Sequence, residues 1–233
     1  MWEEVTVGMS GASVRRRGGV YRKESADLDL VGEGRRLVWL REHGIPAAEV
    51  LECAPGLLVT AAVPGRTAAD PWAADLRPRV VDALADLTRR LHALPVDDCP
   101  FDRRLAVTVP EALAADVDLD DLDEERRGWS RDRLVAELLA TTPDGEDLVV
   151  CHGDLSLPNV LFDPDTCRVT GVVDTGRLGV ADRWTDLAIA TRSLAGDLNP
   201  DYGPVYADRY LHRYGISPDA AKSDFYRLLD EFC

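Results

Sequence analysis

Between residues 77 and 94 the chain reads RPRVVDALADLTRRLHAL, and Val80, Val81, Leu84, Leu87 and Leu91 recur at the spacing of one helix face. That period predicts an amphipathic helix with a buried stripe. The first sixty residues follow a different rhythm. WEEVTV (2–7), ASVRR (12–16) and VYRKE (20–24) are short runs broken by glycine, with Gly18 and Gly19 turning the chain, and they read as strands. EGRRLVWLREHG (33–44) then predicts one helix, with Leu37 and Leu40 inward and Gly44 and Pro46 ending it. AEVLECA (48–54) and GLLVTAAV (56–63) add two strands. Further on, VLFD (160–163) and RVTGVVD (168–174), joined by PDTC, predict a hairpin. The terminal FYRLLDEFC predicts a last helix with Phe225, Leu228, Leu229 and Phe232 inward. The expected class is α+β: a small antiparallel-sheet part with one helix (1–62), a connector near VPGR, and a larger, mainly helical part (63–233).

Composition narrows the partners. The net charge of −15, from 27 basic and 42 acidic residues, argues against nucleic acid or an anionic membrane, because both repel such a surface. It is compatible with a polycationic small ligand, although the total alone favours a solvated acidic surface that aids solubility. No apolar run approaches the ~18 residues of a membrane span. The start, MWEEVTVGMS, has acids where a secretion signal has a basic region. The five cysteines are odd in number and lack a CxxC pair, so a reducing cytoplasm and a monomer without disulfides are expected.

CHGDLSLPNV (151–160) follows the apolar strand DLVV. Asp154 and Asn159 share this loop, and Asp174 ends the hairpin that begins beside Asn159. A hairpin returns its ends to each other, so Asp174 should lie near Asn159. A carboxylate and an amide oxygen converging this way suit Mg²⁺, a hard cation with oxygen ligands. Asp154 is then left to accept a proton from an attacking hydroxyl, the division of roles that phosphoryl transfer requires. His152 is read as a brace for the loop rather than a base. Upstream, VGMSGAS (7–13) is a small-residue turn able to approach phosphates, with Ser10 and Gly11 at its centre. Lys23 on the following strand and Glu33, read as opening the helix, complete a pair that can hold nucleotide phosphates. GxxxxGK[ST], GxSxG and HExxH are all absent, which excludes P-loop, serine-hydrolase and zinc-protease readings.

VVCHGDLSLPNVLFD, GVVDTGRLGVADRWTDLAIATRSL and FYRLLDEFC resemble aminoglycoside phosphotransferases, above all the 3′ class acting on kanamycin- and neomycin-type antibiotics. The resemblance runs from WEEVTVGMSGASV to the last residue. It implies a protein-kinase-like two-lobe fold, ATP and Mg²⁺ as cofactors, and a cationic aminoglycoside as acceptor. Asp154 matches the catalytic base, Asn159 and Asp174 the magnesium ligands, and Lys23 with Glu33 the nucleotide-phosphate pair. TAAV (60–63) matches the adenine-binding hinge, which places Ala61 and Val63 at the base.

For the acceptor, DVDLDDLDEE (116–125) carries seven acids in ten residues. Such a run by itself fits a solvated face. The resemblance puts Asp123 and Glu124 against the antibiotic's ammonium groups and Arg177 nearby as an organiser of carboxylates. Asp230, Glu231 and the carboxylate of Cys233 gather at the negative end of the last helix, where anions repel and a polycation would be welcome. Two departures bear on acceptor choice. The chain ends in Cys233 where the family usually has phenylalanine, and SLAGDLNPDYG (193–203) keeps only Asp197 where relatives carry two acids. The remaining alternatives are a related kinase acting on streptomycin or another amino alcohol, and a nucleotide-binding module without catalysis.

Overall fold

The computed structural model describes residues 1–5 and 12–232. Its first part is an antiparallel sheet. Among the described residues it contains β1 (Glu3–Glu4), β2 (Ser13–Arg17), β3 (Val20–Glu24), β4 (Val50–Ala54) and β5 (Leu57–Ala61), in spatial order β1-β2-β3-β5-β4. Gly18, at φ +57°, makes the tight turn that sets Arg17 opposite Val20 in the β2–β3 register. The strand read at residues 2–7 is short where described, and the rest of it lies outside the described residues with the turn that holds Ser10 and Gly11.

Helix α1 (Leu30–Glu42) lies between β3 and β4 and begins three residues before the start expected at Glu33. The reason is a cap: the Asp29 carboxylate accepts the Gly32 N–H at 2.8 Å. Glu33 therefore sits within the first turn, buried, rather than at the opening. Leu37 and Leu40 face inward as their spacing predicts. Gly44, at φ +76°, ends the helix while the Ile45 N–H returns to the Leu40 carbonyl.

The second part runs through β6 (Arg66–Thr67), α2 (Arg77–His92), α3 (Leu105–Ala114), α4 (Arg131–Thr141), β7 (Leu148–Cys151), β8 (Val160–Phe162), β9 (Val169–Val172), β10 (Gly179–Asp182), α5 (Trp184–Ala195), α6 (Pro204–Tyr214) and α7 (Ala220–Asp230). Every apolar residue of the α2 stripe is buried, and α2 packs on α6 while α5 packs on both α6 and α7. Truncating one of these leucines, such as the fully enclosed Leu84, to alanine should cost about 2–5 kcal/mol. Two small antiparallel ladders, β6-β8-β9 and β7-β10, sit on this helical body and carry the loops that matter below. β8 and β9 are the expected hairpin. β6 and β10 are too short to show a period in the sequence and form because partners exist for them.

The two parts are stitched as well as linked. The Val172 N–H donates to Pro46 O at 3.0 Å, and the Ala48 N–H donates to Val172 O at 3.1 Å. The hairpin end that carries Asp174 is thereby held against the segment leading into β4. This is the α+β arrangement expected.

Candidate active site

The loop after β7 is held from beneath by one carboxylate. Asp186, in the first turn of α5 and fully buried, accepts the His152 N–H at 2.8 Å and the Gly153 N–H at 2.9 Å. A buried carboxylate needs donors on both oxygens, and His92 Nε2 of α2 supplies another at 3.1 Å. Gly153 is required by the close packing: at φ +87°, a Cβ there would stand 2.2 Å from the Arg177 carbonyl oxygen. His152 braces the loop, as read. Its Nδ1 accepts the Asp154 N–H at 3.3 Å, so Nε2 carries the proton it donates to Val173 O at 3.1 Å.

Asp154 and Asn159 meet directly. The Asn159 Nδ2 group donates to the Asp154 backbone oxygen at 3.0 Å and to its Oδ2 at 2.9 Å. The hairpin closes as predicted, with the Val173 N–H donating to Asn159 O at 3.0 Å and Asp174 following at once. Asp174 adopts φ +58°, a left-handed conformation that aspartate tolerates better than most side chains. Its Oδ1 accepts Lys23 Nζ at 2.7 Å, and the same amine donates to Glu33 Oε2 at 3.0 Å. Burial alone would lower the Lys23 pKa, but Asp174 and Glu33 beside it carry the net shift upward. Burial pushes the Glu33 carboxyl up, against the pull of Lys23.

Five predicted residues are thus brought together on one path, Glu33–Lys23–Asp174 and Asn159–Asp154, joined through the hairpin end. With its Nδ2 engaged on Asp154, Asn159 has its carbonyl oxygen left to offer, and Asp174 has a second carboxylate oxygen. An amide and a carboxylate oxygen are the donor chemistry a divalent hard cation takes, so the residues fit Mg²⁺. Ala61 ends β5 with its N–H on Glu49 O at 2.8 Å. Neither the N–H nor the C=O of Val63 has a backbone partner among the described residues. Ser10, Gly11 and Cys233 lie outside the described residues.

The acidic face is built differently from what the sequence suggested. Asp230 does not simply repel its neighbours at the end of α7. Arg177 Nη1 donates to its Oδ1 at 2.5 Å, and Arg192 of α5 donates to its Oδ2. Burial would raise the Asp230 carboxyl, and the two guanidinium groups outweigh it and hold the pKa below the usual carboxylate range. Arg192 also donates to Asp123 Oδ2 at 2.8 Å, while Arg177 Nη2 lies 3.8 Å from Asp154 Oδ2. Glu231 faces Arg126 at 3.5 Å and accepts the Asp123 N–H at 3.3 Å, and burial with Asp123 nearby pushes its carboxyl up. The expected relief of end-of-helix repulsion by a ligand is therefore corrected: arginines already supply much of it. Arg177, expected near these carboxylates, lies between Asp230 and Asp154. Asp123, Arg177, Asp230 and Glu231 converge. Glu124 and Asp197 are exposed and have no ion pair among the described residues, so nothing here ties them to the cluster.

Sequence reasoning missed Asp186, His92, Arg192 and Arg126. The first three carried a signal, each being a polar side chain within an otherwise apolar helix face. Arg126, inside an acid run, carried none.

The phosphotransferase enzyme family matches residues 10–226. An aminoglycoside 3′-phosphotransferase of Streptomyces fradiae is 52% identical, with 99% of this chain and 94% of that protein covered. A crystal structure of an aminoglycoside 3′-phosphotransferase of type VIII superposes with TM-score 0.90 at 50% identity, covering 100% of this chain and 94% of that one. An aminoglycoside phosphotransferase of Streptomyces rimosus, solved with ADP and streptomycin, has TM-score 0.81 at 34% identity and covers 99% and 92%. A hairpin-borne aspartate beside a loop asparagine, a strand lysine on a helix glutamate, and these whole-length likenesses lead to one statement: the chain belongs to the phosphotransferase enzyme family and, within it, groups with the aminoglycoside 3′-phosphotransferases.

Proposed function

We propose that this protein transfers the γ-phosphoryl group of ATP to the 3′-hydroxyl of kanamycin- and neomycin-type aminoglycosides, inactivating them. The observation that carries the reading is the Asp154 carboxylate: Asn159 fixes one side of it, and the Asp123–Arg192–Asp230–Arg177 cluster flanks the other. Lys23, steadied by Glu33, binds the nucleotide phosphates, and Val63 offers its peptide edge to the adenine. Asn159 and Asp174 would hold Mg²⁺, which when bound neutralises charge on the phosphates. Asp154 orients the acceptor hydroxyl and takes its proton as the new phosphorus–oxygen bond forms and the bond to ADP breaks. Asp123, Asp230 and Glu231, with Glu124 and Asp197 from the rim, offer negative charge to the acceptor's ammonium groups.

Residues 1–62 form the nucleotide-binding lobe and 63–233 the catalytic and acceptor-binding lobe, in a monomer working in the cytoplasm. No helix among the described residues is long and apolar enough to cross a membrane. A second reading, transfer to streptomycin, has the Streptomyces rimosus likeness in its favour. ATP-coupled turnover over kanamycin, neomycin, streptomycin and choline, with product mass and NMR assignment of the modified hydroxyl, separates the two. The expected products are 3′-phosphorylated kanamycin and neomycin. Turnover of streptomycin without kanamycin would replace the 3′ reading by the second.

A further inference from the structure

The turn Leu157–Asn159, which carries Asn159, begins at Ser156, yet the Ser156 side chain caps nothing. Leu157 is fully buried, so its N–H cannot turn to water, and an unpaired buried donor is strongly unfavourable. The partner comes from another element: Ser193 Oγ, in the last turn of α5, accepts the Leu157 N–H at 3.0 Å. Pro158 has no N–H, and the Asn159 N–H goes to Ser156 O at 3.1 Å. Among the described residues the turn therefore has a single inter-element hydrogen bond to a backbone donor, and Ser193 makes it. Ser193 is held in turn. The buried Asn199 donates through Nδ2 to Ser193 O at 2.9 Å and to Ser193 Oγ at 3.4 Å.

We propose that Ser193 is a positioning residue for phosphoryl transfer: it caps the Leu157–Asn159 turn in trans and so fixes where Asn159 presents its oxygen. The proposal rests on the phosphotransfer reading above. The stretch 193–203, which keeps Asp197 as its one counterpart to the two family acids, then has a further role: its serine and asparagine form a strut under the catalytic loop. Arg192, one residue earlier, reaches Asp123 and Asp230, so consecutive residues of α5 hold the loop and the acidic face.

The test uses the full chain with Ser193→Ala, Ser193→Cys and Ser193→Thr. Amide exchange at Leu157, read by NMR, should quicken about 5- to 20-fold in S193A, the scale of one lost hydrogen bond to a buried donor. With ATP and kanamycin, kcat should fall by a similar factor and the Mg²⁺ concentration for half-maximal turnover should rise. KM for kanamycin should stay within about 2-fold of the parent, since no acceptor contact is removed. S193T, which keeps the hydroxyl, should restore all three, and S193C should lie between. A lowered Tm with unchanged Leu157 exchange and unchanged Mg²⁺ dependence would overturn the proposal, as would S193A behaving like the parent throughout. Should the parent phosphorylate no aminoglycoside, the phosphotransfer reading fails, while the exchange measurement still decides whether Ser193 holds the turn.

Discussion

The catalytic loop and the acidic face adjoin each other but are held by different forces. Beneath the loop, a fully enclosed Asp186 is satisfied by two backbone N–H groups and an imidazole, and Leu157 by a serine hydroxyl. These are short-range directional bonds in a dry interior, insensitive to salt. Across the acidic face, Asp123 and Asp230 alternate with Arg192 and Arg177 in contacts that water partly reaches, with the Glu231–Arg126 pair buried behind them. The chemistry needs fixed atoms and rests on buried hydrogen bonds. The acceptor surface needs to receive varied cations and rests on ion pairs that can be traded. On the proposed reading, an incoming ammonium group has to compete with a guanidinium already seated, and binding there would be an exchange of cations rather than the filling of a bare anionic hole.

The largest effect should follow from Asp154→Ala, which removes the proposed base without emptying any core position. kcat should fall by about 10³-fold while the melting temperature stays near that of the parent. Coupled turnover and calorimetry read the two. Asp186→Ala should instead lower stability together with turnover, because two buried N–H groups and His92 lose their acceptor and the loop that carries Asp154 loses its anchor. A loss of about 3–5 kcal/mol, or a Tm lower by about 10 °C, is expected from thermal unfolding. Arg192→Ala tests the other region. Asp230 keeps Arg177, so the loss should be smaller, about 1–2 kcal/mol. If R192A destabilised as much as D186A, the contrast between the regions would collapse.

The pH dependence has a definite sign. A carboxyl held below its ordinary value of 3.8 contributes stability that is complete above that pH and fades as pH falls through the lower folded value. The parent should therefore lose this stabilisation as pH falls below 3.8, and R192A, which has less of it, should lose less over the same range. The smallest effect is that of salt. Raising NaCl from about 0.05 to 0.5 M should increase KM for a polycationic acceptor several-fold and leave kcat almost unchanged, since only the exposed pairs are screened. A kcat that fell in step with KM would place the salt-sensitive contacts in the chemistry itself.

Much of this was legible in the chain because it is local. The α2 stripe, the β8–β9 hairpin and the convergence of Asn159 with Asp174 follow from periods and turns within about twenty residues of sequence. The last helix and its inward Phe225, Leu228 and Leu229 were equally plain. Helix α1 began early because Asp29 outcompeted Glu33 as its first fixed point, a cap overlooked in reading the apolar positions alone. The anchors stayed hidden because their meaning is tertiary. Asp186 serves a loop more than thirty residues before it, and Arg192 joins Asp123 to Asp230 across three elements. Sequence marks such residues only as polar intrusions on apolar faces, without naming a partner.

One further consequence concerns the amines. The chain has 27 basic residues, yet only Lys23 and Lys222 are lysines, and Lys222 is engaged with the buried Asp182. Reagents that acylate side-chain amines should thus find almost no foothold outside the proposed nucleotide cradle. An adenine nucleotide bearing an acyl phosphate should modify a single tryptic site, giving a direct gauge of how much of a preparation has a functional ATP pocket.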